Sequence, residues 1–149
     1  MSEGGLSFQV CRTPDEFKSA ADGYRAVLEG LGRNITRKTG EAELGREVQI
    51  YIRNPENRVV GGVIGQAFGG WLYIALLWVD EALRNQGHGT TLLQMIEDEA
   101  AKLGCRHAHL DTYSFEARPF YEKHGYTLFA TLDNYPKGHR KHFLQKDLP

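Results

Sequence analysis

Cysteine is scarce in this chain: Cys11 and Cys105 are the only two, far apart and in no CxxC spacing. That speaks against a disulfide-stapled scaffold and for a reduced, intracellular protein. An excess of one charge is lacking too, with 18 Lys and Arg against 19 Asp and Glu. A formal net charge of −1 leaves no broad electrostatic footprint for nucleic acid or an anionic membrane. No apolar run approaches the roughly 18 residues of a membrane-spanning helix. The start, Met1-Ser2-Glu3-Gly4-Gly5, has neither the basic nor the apolar region of a secretion signal. The expectation is a cytoplasmic protein with neither nucleic acid nor membrane as partner. Repeats, low-complexity tracts and linkers are also missing. One domain over residues 1–149 is therefore expected, large enough to bury a core.

What the chain does have is clear local patterning. Leu6 to Arg12 reads as a short strand, and Thr13 or Asp15 as the cap of a helix beginning near Pro14 and carrying Phe17, Ala20, Ala21, Tyr24 and Val27-Leu28. A second short helix around Glu41 to Leu44 is an option. Val48 to Ile52, Val59 to Phe68 and Trp71 to Val79 follow as strands joined by Asn54-Pro55-Glu56-Asn57 and Gly69-Gly70. The Trp71–Val79 run reads as a buried strand. Leu92, Leu93, Ile96, Ala100 and Leu103 then recur at helical spacing up to Gly104. Ala108 to Thr112 reads as a strand, Ser114 as the cap of a short helix ending at Lys123, and Tyr126–Leu132 with Arg140–Gln145 as a closing hairpin. The order, a meander, a βα crossover and a hairpin, predicts an α+β fold.

Between the Trp71–Val79 strand and the long helix lies Arg84-Asn85-Gln86-Gly87-His88-Gly89-Thr90. A glycine-rich turn entering a helix N-terminus presents free N–H groups and about half a positive charge, an anion site. A nucleoside triphosphate loop would need lysine after its last glycine, and here Thr90-Thr91 follows Gly89. A dinucleotide fingerprint would need a third glycine and an earlier place in a βαβ unit. Neither fits.

The pattern (Gln/Arg)-x-x-Gly-x-(Gly/Ala), carried by Arg84, Gly87 and Gly89, resembles the diphosphate loop of the GNAT N-acetyltransferase superfamily. So does the lead-in Leu77-Trp78-Val79-Asp80-Glu81. Downstream, Ser114-Phe115-Glu116-Ala117-Arg118-Pro119-Phe120-Tyr121-Glu122-Lys123-His124-Gly125-Tyr126 resembles the family's Asn-x-x-Ala-x-x-Phe-Tyr-x-x-x-Gly-Phe, with Ser114 and Tyr126 as departures. The resemblance implies a GNAT-type α/β/α fold. Its central sheet would be mixed, mostly antiparallel and splayed at the strand before the phosphate loop, with helices on both faces. It implies acetyl-CoA as donor, no metal, a primary amine of a small molecule or peptide as acceptor, direct attack in a ternary complex, and an option of homodimerisation. Trp78 and Val79 would pair with the pantetheine arm, and Arg84, Asn85, Gln86, Gly87, His88, Gly89, Thr90 and Ser114 would serve the coenzyme. Gly87 and Gly89 would admit the diphosphate without a Cβ in the way, and the Thr90 hydroxyl would add a donor. Tyr121 would be the catalytic acid that meets the leaving thiolate. The rival is a noncatalytic acyl-CoA-binding sensor on the same fold.

Some GNAT enzymes take the amine's proton with a glutamate in the strand before the phosphate loop. That position falls near Tyr73, and this strand has no carboxylate. Asp111, Glu116, a relayed water and an already neutral amine all stay open as substitutes. Asp111, at the end of its strand, is a substrate-side candidate. Tyr135-Pro136-Lys137-Gly138-His139 with Phe143-Leu144 looks like a tail of some small bacterial GNAT proteins, which makes Tyr135 and His139 substrate-side candidates as well. His107 and His109 read as solvent-facing rather than as a metal pair. Lys137, His139, Arg140, Lys141 and His142 read as a solvated basic edge, with contact to acidic substrate groups or the coenzyme's phosphates as the rival.

Overall fold

The computed structural model describes residues 2–3, 5–41 and 45–149. The chain divides into two units, Met1–Leu44 and Gly45–Pro149. In the first, β1 (Ser2–Glu3) pairs antiparallel with β2 (Leu6–Ser7). The strand expected to run to Arg12 thus stops at Ser7, because Gly5, at φ 84°, folds the chain back on a two-residue partner. Helix α1 (Pro14–Ser19) starts on the expected Thr13 cap. Thr13 Oγ1 accepts from the Glu16 N–H at 3.3 Å, and the Glu16 carboxylate accepts from the Thr13 N–H at 2.8 Å. This capping box satisfies donors that the helix leaves open, and the N–H groups of Arg12, at 2.6 Å, and Thr13 hold the Glu16 carboxyl below the usual carboxylate range. After a break at Ala20, α2 (Ala21–Thr39) runs well past the expected Leu28 and ends on Gly40 at φ 78°. The optional helix is not seen at Glu41, and its residues 42–44 lie outside the described ones.

The second unit holds β3 (Arg46–Arg53), β4 (Val59–Phe68), β5 (Trp71–Val79), α3 (His88–Lys102), β6 (His107–Tyr113), α4 (Arg118–Lys123), β7 (Thr127–Asp133) and β8 (Arg140–Asp147). Its six-stranded sheet has the order β3-β4-β5-β6-β8-β7. Only β5 and β6 run parallel, joined by the α3 crossover, so the sheet is mixed and mostly antiparallel as expected.

The core lies between this sheet and α3. Val63 and Ala67 of β4, Leu72 and Ile74 of β5, Ala108 and Leu110 of β6 and Leu144 of β8 are buried with Leu92, Leu93, Ile96 and Ala100 of α3. Full burial of each leucine or isoleucine contributes about 1.5–3 kcal/mol. Close approach of α3 depends on Gly65, where a Cβ would stand 2.9 Å from Ile96 Cδ1 and 2.8 Å from the Tyr73 carbonyl oxygen. The helix ends in a Schellman turn. The Gly104 N–H bonds to the Ala101 carbonyl at 3.0 Å and the Cys105 N–H to that of Ala100 at 2.9 Å. Facing the sheet, the Glu97 carboxylate accepts from Tyr126 Oη at 2.9 Å and from Lys146 Nζ at 2.9 and 3.1 Å.

Two irregularities of β5 give the sheet its local shape. Ile64 of β4 pairs with Leu76, but Gly65 pairs with Ile74, which leaves Ala75 as a bulge. Core-facing residues are Leu72 and Ile74 before it and Leu77 and Val79 after it, so the strand is not buried along its length as expected. Leu76 and Trp78 stand exposed. The parallel ladder to β6 stops at Ile74↔Leu110. Beyond it β5 continues beside β4 and β6 beside β8, opening the expected splay.

Candidate active site

The loop after β5 is built to expose peptide N–H groups. Asp80 caps a 3-10 turn, Glu81–Leu83, by accepting from the Ala82 N–H at 3.0 Å. Arg84 folds back so that its Nε donates to the Val79 carbonyl at 3.1 Å, fastening the loop to the strand end. Asn85 and Gly87 both take positive φ, 60° and 85°. Gly87 is the N-cap of α3 and no side-chain cap bond is made there. The N–H groups of His88, Gly89 and Thr90 therefore have no carbonyl ahead of them in the helix. At Gly89 a Cβ would also meet the Phe120 ring, at 3.4 Å.

These N–H groups border a cavity of about 710 Å³, ample for the arm of a large cofactor. Leu77, Trp78 and Val79 form one wall, Arg84, Asn85, Gly87, His88, Gly89 and Thr90 the floor, and Phe115, Glu116, Ala117, Phe120 and Lys123 the other wall. Eight of the ten residues expected to serve the coenzyme thus meet around one cavity. Gln86 is not on its lining; its side chain donates to the Ala82 carbonyl at 3.2 Å. Nor is Ser114, which does not cap α4 either, since the N-cap is Ala117. Ser114 instead ties the end of β6 to the start of β8: its Oγ accepts from the Arg140 N–H at 3.0 Å, and its N–H donates to the Arg140 carbonyl at 2.8 Å. Thr90 Oγ1 is engaged by His124 Nε2 at 3.0 Å, a partner that no spacing pattern in the sequence announces. His124 also packs edge-on against Phe120, 4.8 Å between ring centres.

Tyr121 sits on α4 behind Phe120, 7% exposed. Its ring meets Phe120 and Tyr126 edge-on at 5.1 and 5.9 Å. Burial, aided by the negative charges of Glu116 and Asp111, pushes its hydroxyl up to about 12. The phenol stays protonated at any physiological pH, the state a hydrogen-bond donor requires. Tyr121 is not among the residues lining the cavity.

The opposite face of the sheet collects the remaining candidates. Alternation on β6 buries Ala108, Leu110 and Thr112 and sends His107, His109, Asp111 and Tyr113 to this side. His107 is neither free nor a ligand: it stacks on Trp71 at 4.6 Å and Nδ1 meets Asp147 Oδ1 at 2.8 Å. His109 stacks on Tyr73 at 4.9 Å, and burial lowers its pKa against the pull of Asp111. Asp111 accepts from Tyr73 Oη at 2.9 Å on one oxygen and pairs with Lys141 Nζ at 3.3 Å on the other. Burial and this bond raise the Tyr73 hydroxyl. Among the described residues no cluster of His, Cys, Asp and Glu could hold a metal.

The expected basic edge is split by strand alternation. Lys141 turns to Asp111, His142 is buried on the core side with Nδ1 3.0 Å from Thr131 Oγ1, and Arg140 pairs with Asp133 at 3.1 Å. Tyr135 stacks on Tyr113 at 5.8 Å, and His139 packs edge-on against Phe115 at 4.9 Å. The position near Tyr73 and the basic stretch that holds Lys141 both stand out in the sequence, but their meeting at Asp111 is set only by the pairing of β6 with β8 and β5.

A strand splayed from its parallel neighbour, with a helix N-terminus facing the gap, is an arrangement shared with known proteins. The model of the Acetyltransferase (GNAT) family matches residues 20–126. The chain belongs to the GNAT acetyltransferase family. It is 38% identical over 126 residues to an acetyltransferase of Agrobacterium fabrum, covering 85% of this chain and 91% of the relative. It is 35% identical over 99 residues to the blasticidin-S acetyltransferase of Streptomyces morookaense, 66% of this chain and 73% of that one. The crystal structure of an acetyltransferase from Agrobacterium tumefaciens superposes with a TM-score of 0.82 at 35% identity, over 95% of this chain and 99% of that one. GNAT acetyltransferases take their acyl group from acetyl-CoA, and the cavity at the α3 N-terminus suits a donor of that size and charge. No helix among the described residues is long and apolar enough to cross a membrane.

Proposed function

We propose that this GNAT acetyltransferase moves the acetyl group of acetyl-CoA to a primary amine of a small-molecule acceptor, by direct attack in a ternary complex. Residues 1–149 act as one catalytic domain, in the cytoplasm. The observation that carries the reading is the open N-terminus of α3, where Gly87 to Thr90 face a cavity beside the splay of β5 and β6. The diphosphate rests on the His88, Gly89 and Thr90 N–H groups, favoured by the helix dipole. Pantetheine lies along Trp78 and Val79. The amine nitrogen attacks the thioester carbon, the C–S bond breaks, the departing sulfur takes a proton from Tyr121, and the proton that the nitrogen loses on becoming an amide passes to water while Tyr121 regains one from solvent. No acyl-enzyme is needed: Cys105 is buried, and burial raises its thiol pKa, the reverse of an activated nucleophile. A small acceptor agrees with the antibiotic acetylated by the Streptomyces relative.

The test is thiol release from acetyl-CoA in the presence of polyamines, amino sugars, amino acids and peptides, with initial rates measured against both substrates. Intersecting reciprocal plots with at least one amine are expected. Saturable acetyl-CoA binding without turnover on any amine overturns the reading.

A further inference from the structure

On the face of the sheet away from α3, one cation sits in surroundings suited to a ligand's ammonium. Lys141 Nζ is 3.3 Å from Asp111 Oδ1. It also lies 4.8, 5.6 and 5.7 Å from the ring centres of Tyr135, Tyr113 and Phe143. A carboxylate flanked by aromatic faces is how proteins bind organic cations. Register builds this box. Tyr113 pairs with Lys141 and Asp111 with Phe143 across β6 and β8, while Tyr73 Oη, 2.9 Å from Asp111 Oδ2, fixes the carboxylate from β5. Asp111 is also the first residue of β6 past the last rung shared with β5, so its carboxylate stands at the mouth of the splay. Tyr113 stacks on Phe115 at 5.1 Å with planes 2° apart, and Phe115 lines the coenzyme cavity. A wall of rings therefore runs from the coenzyme to the box.

We propose that this box is the cation subsite for the acceptor, that Lys141 fills it when no acceptor is bound, and that the acceptor carries at least two basic nitrogens. An amine held there as an ammonium has no lone pair and cannot attack. The nitrogen that is acetylated is therefore a second one, reaching past Asp111 into the splay. This inference rests on the proposed amine acetylation, and it narrows the acceptor to diamines or amines bearing a separate cationic group. Binding moves the Lys141 ammonium out to water, so that charge near Asp111 is exchanged rather than doubled.

The experiment compares 1,5-diaminopentane with pentylamine as acceptors, using wild type, Asp111→Asn and Lys141→Met. The wild type is expected to favour the diamine by about tenfold in kcat/KM, the scale of one cation held by a carboxylate and rings. Lys141→Met, by vacating the box, increases that preference several-fold through a lower diamine KM. Asp111→Asn reduces it to near parity, and KM for acetyl-CoA stays unchanged in both variants. A preference retained in Asp111→Asn, or lost in Lys141→Met, overturns the inference. A readout free of turnover separates it from the reaction itself. Saturation-transfer NMR on tetramethylammonium chloride should show binding to Lys141→Met and to Lys141→Gln, and none to the Asp111→Asn/Lys141→Met double variant. If no amine is acetylated yet tetramethylammonium binds in this pattern, the box stands and the proposed reaction falls. If Lys141→Met and Lys141→Gln both keep a native melting profile and bind no tetramethylammonium, the box falls.

Discussion

At the N-terminus of α3 the groups offered to a ligand are peptide N–H groups. Across the sheet the proposed acceptor site offers side chains, the Asp111 carboxylate held by Tyr73 and vacated by Lys141. The first set is positioned by a turn of a few residues with two positive φ values. The second is positioned by the register of three strands that are remote in sequence. Backbone donors tolerate changes of side chain so long as the turn survives, whereas side-chain groups vanish with a single substitution. On the proposed reading, a site for an invariant donor and a site for a variable acceptor are thus assembled from materials of different mutational sensitivity. The coenzyme side should yield to backbone changes and the acceptor face to conservative side-chain changes.

The largest effect expected is at the proposed acid. Tyr121→Phe should lower kcat by about 10² or more, the usual contribution of a positioned acid, while acetyl-CoA titration shows unchanged affinity. Unchanged turnover removes Tyr121 from the mechanism. The same variant has a stability signature. The Tyr121 pKa rises on folding from about 10 to about 12, so the folded state keeps a proton that the unfolded chain loses. Stability from this group is complete below about pH 10 and is lost as pH climbs toward 12, an effect of about 2–3 kcal/mol. Between pH 9 and 11 the wild type should lose more stability in urea unfolding than Tyr121→Phe does.

Next comes Gly87→Ala. Alanine at φ 85° costs about 1–2 kcal/mol, and relief of that strain turns the N–H groups away. KM for acetyl-CoA should rise about tenfold while the ratio of KM values among acceptors holds. Tyr73→Phe should do the reverse. Loss of one hydrogen bond to a carboxylate raises acceptor KM by about threefold to tenfold, and coenzyme affinity stays put. Equal effects of either variant on both substrates would erase the distinction between the two sides. The smallest effect belongs to Gly89→Ala, whose Cβ meets only a ring at 3.4 Å. A rise of about twofold in acetyl-CoA KM is expected, relieved by adding Phe120→Leu.

The same difference explains what could be read from the residues alone. Arg84 to Thr90 is legible because an anion site made of backbone leaves a contiguous trace of glycines between a strand and a helix. The strands Val59–Phe68 and Trp71–Val79 are legible to the residue because the Asn54–Asn57 turn precedes the first and Gly69-Gly70 separates the two. The Schellman end of α3 is announced by Gly104. The acceptor face is not legible in this way. Lys137 to His142 reads as a solvated basic stretch until the pairing of β6 and β8 sends Lys141 to one face and His142 to the other. Ser114 reads as a helix cap, but α4 begins only after Ala117, and the Ser114 hydroxyl finds the Arg140 N–H instead. The bulge at Ala75 has no marker on its own strand; the register shift falls opposite, at Ile64 and Gly65 of β4. Glycine at 89 is legible from its place in the loop pattern, whereas the Phe120 ring beside it lies on another helix.

That bulge also bears on how such a protein diversifies. It reverses the parity of β5 halfway along, so Trp71 and Tyr73 share a face with Leu76 and Trp78, and Leu72 and Ile74 with Leu77 and Val79. Loss of the single residue Ala75 would leave every other residue of the strand on its present face, because Ile74 and Leu76 already pair with consecutive residues of β4. What such a loss would remove is the local bend and added twist that a bulge gives. The strand therefore carries its core and outer surfaces independently of the bulge, and one residue at Ala75 adjusts its shape without exchanging them.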